Sequence, residues 1–83
     1  MKFMKMFITS AGTFIGTKNE DSLNIIDVAR TDILIDKYGN ASINCILLGN
    51  CDVESFENCI AIIELSSDSP YFKSYKNMLD NIK

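Results

Sequence analysis

Few side chains in this sequence could carry out chemistry. Cys45, Cys51 and Cys59 supply thiols, but there is no histidine anywhere to serve as an adjacent base. A nucleophilic thiol or hydroxyl needs such a base, or a charged neighbour, to become reactive. The acid pairs Glu20/Asp21 and Glu54/Glu57 read as solvated turns, since a glycosidase-like pair needs a cleft that 83 residues hardly build. The run Gly12-Thr13-Phe14-Ile15-Gly16 lacks the lysine and hydroxyl residue that complete a phosphate loop. Without histidine the usual zinc ligand sets are missing, and a bare three-thiolate arrangement is the remaining alternative. These residues predict a binding protein rather than an enzyme, with no metal and no cofactor.

Whatever binds must be held by one small domain spanning 1–83. At 83 residues a single core only just offsets chain entropy. A hydrophobic fraction of 47% argues for folding rather than disorder. No disulfide or metal staple is evident, so homo-oligomerisation is the expected source of further stability. The apolar stretch at 1–7 is broken by Lys5 and too short for a signal peptide, and no run is long enough to span a membrane. Together with the odd cysteine count this predicts free thiols in a reducing cytoplasm, the host cytoplasm if the chain is phage-encoded.

The net charge of −3 hides a pattern. Residues 1–18 carry Lys2, Lys5 and Lys18 and no acid, and 69–83 are basic again. Between them, 19–68 hold ten acids against Arg30 and Lys37. That acidic middle disfavours general wrapping of nucleic acid, whose nonspecific affinity comes mostly from phosphate neutralisation. A local basic pocket stays compatible with it.

Short apolar, β-branched runs fall at 3–9, 13–18, 23–30, 31–36, 41–48 and 59–65, separated by turn clusters at 10–12, 19–22, 37–40 and 49–52. This spacing predicts a meander of antiparallel strands. Tyr38-Gly39-Asn40 is a good hairpin turn, since glycine and asparagine accept positive φ. Residues 52–58 are expected as a loop or helical turn. Ser69 before Pro70 marks a helix start, and Phe72, Tyr75, Leu79 and Ile82 then form one apolar stripe over 70–82. Gly12 is assigned to the turn into the second strand and Gly16 to a bend within it, as a tightly curved barrel over 3–65 requires.

The order Gly12-Thr13-Phe14-Ile15-Gly16, then Glu20-Asp21-Ser22-Leu23-Asn24, then Ile25-Ile26-Asp27-Val28 resembles the first motif of the Sm-like family, which includes the Sm and LSm proteins and bacterial Hfq. Ile46-Leu47-Leu48-Gly49-Asn50 is similar to its second motif. The resemblance covers roughly 7–50, with 59–65 as closing strand. It implies a mainly β fold: a small, strongly bent antiparallel β-barrel, Sm-like or SH3-like, here with one C-terminal α-helix. Four departures stand out. The helix follows the barrel instead of preceding it, and the glycine spacing is one residue shorter. Ser22 occupies the position of the base-stacking aromatic, and Leu48 that of the arginine before the second glycine. The resemblance therefore implies the fold more directly than RNA binding.

On the same resemblance, Asn24 and Asn50 sit where the family's loops contact bases. Around them, Lys18, Arg30 and Lys73 are the candidate phosphate partners, and Tyr71 the candidate stacking surface. The alternative for Tyr71, Phe72 and Tyr75 is helix packing. Three readings follow. The first is an oligomer that captures a small nucleotide, as do phage-encoded sponges that sequester cyclic nucleotide immune signals. This is an analogy of size and character. The second is an anti-CRISPR-like inhibitor that binds a nucleic-acid-processing defence protein of the host. The third is an Hfq-like RNA-binding protein.

Overall fold

The computed structural model describes residues 2–82. The chain runs through β1 (Lys2–Thr9), β2 (Gly12–Asn19), β3 (Asn24–Ile35), β4 (Ala41–Asp52), a 3₁₀ turn (Val53–Phe56), β5 (Ala61–Glu64) and α1 (Pro70–Asn81). The strands form one antiparallel sheet in the order β4-β3-β2-β1-β5. Four expected strands and the helix lie close to their expected places. The apolar runs at 23–30 and 31–36 merge into the single strand β3, because no turn residue separates Arg30 from Thr31.

The sheet does not close into a barrel. After β4 the 3₁₀ turn carries the chain across to β1, where Lys5↔Glu64 through Ile8↔Ala61 pair. β5 thus lies at the edge opposite β4, and among the described residues each keeps an outer edge unpaired. β5 is also shorter than the expected 59–65. Its ladder extends only to the Ile60 N–H on the Ile8 carbonyl and the Leu65 N–H on the Met4 carbonyl.

Each face of the sheet has its own cover, which follows from side-chain alternation along the strands. On one face Phe7, Ile25 and Val28 pack with Phe56 of the 3₁₀ turn. The Phe56 ring stacks on Phe7 at 4.3 Å between centroids and meets Phe14 at a tilt. On the other face Ile15 and Ala29 pack under Tyr75 of α1, with Tyr71, Met78 and Leu79 beside it. The helix begins as its residues dictate: Ser69 Oγ accepts the Tyr71 N–H at 3.2 Å, and Pro70 takes the first position. A twelve-residue helix is marginal alone, so its stability comes from this docking.

At Gly16, where a bend was expected, the ladder shifts register, and the irregularity lies across it on β3. Between the pairs Ile15↔Ala29 and Thr17↔Ile26 one extra residue is accommodated on β3. There Asp27 adopts a left-handed φ of 53°. Gly16 sits under this bulge, and a Cβ on it would run into Ile25 Cγ2. The bulge is pinned from two sides. Asn50 Oδ1 accepts the Asp27 N–H at 3.2 Å, and the Tyr75 hydroxyl donates to the Asp27 carbonyl at 2.8 Å. With its proton so directed, Tyr75 takes the Thr17 hydroxyl as donor at 3.0 Å.

Beyond Thr13↔Thr31, β3 loses its β2 neighbour and continues only with β4 as a two-stranded arm, through Ile33↔Ile43 and Ile35↔Ala41. The arm closes on the expected hairpin. Asp36 Oδ1 accepts the N–H groups of Asn40 and Tyr38, and Gly39 has φ 83°. The Asn40 and Tyr38 backbone bonds hold the Asp36 carboxyl below its ordinary pKa despite partial desolvation. Among the described residues no helix is long and apolar enough to cross a membrane.

Two outcomes are expected from this packing. Gly16→Ala forces overpacking beneath the bulge and lowers unfolding free energy by about 1–3 kcal/mol in a urea titration. Tyr75, pushed from 10.0 up to about 12 by burial, resists ionisation in the fold more than in the unfolded chain. Its contribution is therefore complete below pH 10.0 and is lost as pH rises through about 12. Tyr75→Phe removes that alkaline dependence and, by leaving the Asp27 carbonyl unpartnered, costs about 1–3 kcal/mol at neutral pH. An unchanged alkaline transition in Tyr75→Phe would show that another group governs it.

Candidate functional site: the groove between β4 and α1

The six residues singled out from the sequence do not converge. Thr17 turns toward Tyr75, so its neighbour Lys18 lies on the face away from α1. There its amine folds back onto the carbonyls of Asn19 and Glu20, at 3.1 Å each. Arg30, between Ala29 and Thr31, also points away from α1 and sits 3.5 Å from Asp32 in an exposed ion pair. Asn24 and Asn50 alternate with Ile25 and Cys51, which enter the first core, and so lie on the α1 side. Asn24 is exposed at the start of β3, whereas Asn50 is occupied in pinning the bulge. Tyr71 packs into the second core, the structural alternative weighed for it, and Lys73 is exposed on the helix.

A different set of residues does converge. A groove of about 290 Å³ opens between β4 and the second half of α1, lined by Asn44, Cys45, Ser74, Asn77, Met78 and Asn81 with Ile43 and Ile82. A wider one of about 490 Å³ continues toward the helix start, between Pro70 and Ser74 on one side and Ile33, Ala41 and Ser42 of the arm on the other. Ile43 and Ser74 belong to both, so the two form one trough.

Helical spacing makes this wall. Tyr71, Tyr75, Met78 and Leu79 turn into the second core, and the adjoining stripe Pro70, Ser74, Asn77, Asn81 is left to face the trough. Opposite it runs β4, whose outer edge has no strand partner among the described residues.

The trough is uncharged. Its lining contains no acid, lysine or arginine, and the Cys45 thiol is pushed above its ordinary pKa by burial, which keeps it neutral. Among the described residues the side chains of Asn44, Ser74, Asn77 and Asn81 make no hydrogen bond within the protein, while no buried polar side chain goes unpartnered. Asn44 alternates with Cys45 and, opposite Asp32, turns to the other face of the sheet, which leaves two amides and a hydroxyl, those of Asn77, Asn81 and Ser74, free on the trough side. Lys73, one helical turn before Asn77, is exposed and lines neither part of the trough.

Sequence reasoning passed over Asn77, Asn81 and Ser74. The i, i+3 and i+7 spacing of Ser74, Asn77 and Asn81 beside the apolar stripe was the available signal. It gains meaning only once β4 is placed opposite.

The thiols call for one correction. Cys51, which falls in the turn cluster expected at 49–52, instead lies within β4 and packs with Val53 and Cys59 against the first core. Burial, first, and the nearby Asp52 charge raise its pKa, and a Ser55 contact opposes them. Cys45 is raised by burial as well. With less thiolate available, both should alkylate more slowly than free cysteine at neutral pH, and their rates should go on rising beyond pH 9.0. Peptide mapping after timed alkylation checks this, and labelling of Cys51 at the free-cysteine rate would contradict it. Among the described residues no three potential metal ligands gather.

No protein-family model, curated protein or solved structure gives a significant match to the chain.

Proposed function

We propose that this chain is a non-enzymatic binding protein that assembles with copies of itself and captures a small nucleotide, sequestering it without turning it over. The observation carrying this reading is the uncharged trough, where the unengaged amides of Asn77 and Asn81 and the Ser74 hydroxyl line a space of ligand size between β4 and α1. Asparagine offers donor and acceptor together, the pattern that base edges present. Binding without turnover fits an anti-defence sponge, phage-encoded and acting in a host cytoplasm, that holds a cyclic nucleotide immune signal. An Sm-like relationship belongs to this reading, on the strength of the glycine, acidic-turn and asparagine order in 12–28, with the sheet open rather than closed.

Self-association is supported by the sheet's two free edges. β5 and its approach expose Ile60, Ile62 and Ile63, with no lysine or proline to block pairing. Along β4, Ile46, Leu47 and Leu48 are likewise exposed.

A second reading, an inhibitor that binds a host defence protein, is favoured by one feature. The β3–β4 arm exposes Ile33, Leu34, Ile35 and Tyr38 in one continuous tip. RNA binding of the Hfq kind has less behind it, because Ser22 and Leu48 provide neither stacking surface nor cation.

Light scattering at micromolar concentration should show an oligomer, and Ile62→Lys should dissociate it while circular dichroism stays unchanged. A monomeric wild type refutes the assembly. Calorimetric titration with cyclic dinucleotides, linear dinucleotides and short uridine or adenosine runs tests the ligand. Protein purified from a host with active nucleotide signalling should also release a base-absorbing small molecule on denaturation, readily seen because the chain has no tryptophan. No binding tighter than millimolar, together with recovery of a protein partner in pull-down, would replace the nucleotide reading with the inhibitor reading.

A further inference from the structure

Among the described residues β4 presents the longer of the sheet's two free edges, twelve residues against the four of β5. Such an edge accepts a further strand unless charge, proline or a bulge blocks it. From Ala41 to Cys51 there is no charged residue and no proline. Regular pairing with β3 holds from Ala41 to Leu47, and the register shifts beyond it, before Gly49. Asn44 is the centre of that unblocked stretch.

The stretch is complementary to itself. A two-fold axis that pairs a strand antiparallel with its own copy stands normal to the sheet, so each face continues across the join. With the axis at Asn44, Ile43 of each copy meets Cys45 of the other, and Ala41 meets Leu47. These residues share the α1 face, because Cys45 packs into the second core and Leu47 lies opposite Ala29. Apolar surface there meets apolar surface. On the other face Ser42 meets Ile46, and Asn44 meets Asn44, whose amide is its own hydrogen-bonding complement. No charge is brought against a like charge.

The trough lacks what this pairing adds. It is lined from β3, β4 and α1, and no described residue lines it beyond the β4 edge. Because the axis is normal to the sheet, the second helix lies on the same face as the first. The two troughs then join into one cleft, floored by the paired β4 strands. Its walls are the Ser74, Asn77 and Asn81 stripes of the two helices.

We infer that β4 pairs with β4 of a second copy, antiparallel about a two-fold axis at Asn44, and that this dimer completes the trough as a cleft between two α1 helices. This rests on the self-association reading above and names the edge, the partner and the register. The β5 edge remains free to join such dimers into a larger assembly.

Sedimentation over a concentration series tests it on the full chain. Ile62→Lys, at the opposite edge, should reduce the assembly to a dimer and no further. In that background Asn44→Lys should raise the dimer's dissociation constant at least about tenfold, since like charges then stand directly opposite at the axis. Within its own chain the new lysine faces Asp32, so circular dichroism should not change. Asn44→Glu should weaken the dimer likewise, and an equal mixture of the lysine and glutamate variants should restore it, which damage to the fold could not do. A monomeric Ile62→Lys, a dimer indifferent to Asn44→Lys, or a mixture that stays monomeric overturns the inference while self-association stands. A monomeric wild type overturns both.

Discussion

The hydroxyl of Tyr75 on the carbonyl of Asp27 is the contact on which the remaining arrangement depends. It joins the helix to the sheet at the one place where the backbone leaves regular geometry, a left-handed aspartate in the middle of a strand. The irregularity bends β3 over Gly16, which brings Ile25 and Val28 down onto Phe7 and exposes the Asp27 backbone groups. Those groups need partners, and the fold supplies one from β4 through Asn50 and one from α1 through Tyr75. The same tyrosine fixes the rotation of α1 about its axis. Only with Tyr75 inward do Ser74, Asn77 and Asn81 face β4.

The sheet therefore separates two tasks. One face is sealed by a phenylalanine cluster in which the 3₁₀ turn does the covering, and its residues are committed to packing. The other is covered by a helix narrower than the sheet is wide, so a trough remains where the helix stops short of the β4 edge. Binding surface here is a by-product of incomplete coverage, and this places the candidate site at the outermost strand rather than at the turns. Lys18 and Arg30, the cations expected near the ligand, sit on the sealed side.

How much was legible in the sequence depended on how local the cause was. Ser69-Pro70 and Tyr38-Gly39-Asn40 act within a few residues and fixed the helix start and the hairpin. Gly16 announced a bend, because a glycine inside a β-branched run needs a reason. The bulge opposite it was invisible, since Asp27 is held by a tyrosine 48 residues away. The barrel failed for the same reason. Whether β4 meets β5 is decided by the path through 53–60, which no periodicity encodes. Cys51 was misplaced because Gly49-Asn50 looks like a turn, whereas Gly49, at φ 123°, shifts the register and lets β4 continue to Asp52. The trough amides read as solvated polar residues until a second element stood across from them.

The arm formed by the far halves of β3 and β4 divides the molecule mechanically. Between Ile25 and Thr31, β3 runs between β2 and β4 over the cores; past Thr31 a single β3–β4 ladder continues without β2 beside it. The body and the arm therefore do not melt as one unit. The arm's ladder opens at far lower free energy than the body's, and it does so without disturbing either core or the bulge. Anything that grips the tip meets a compliant lever, whereas anything lodged against α1 meets a stiff wall. Ile43 is where the two regimes meet.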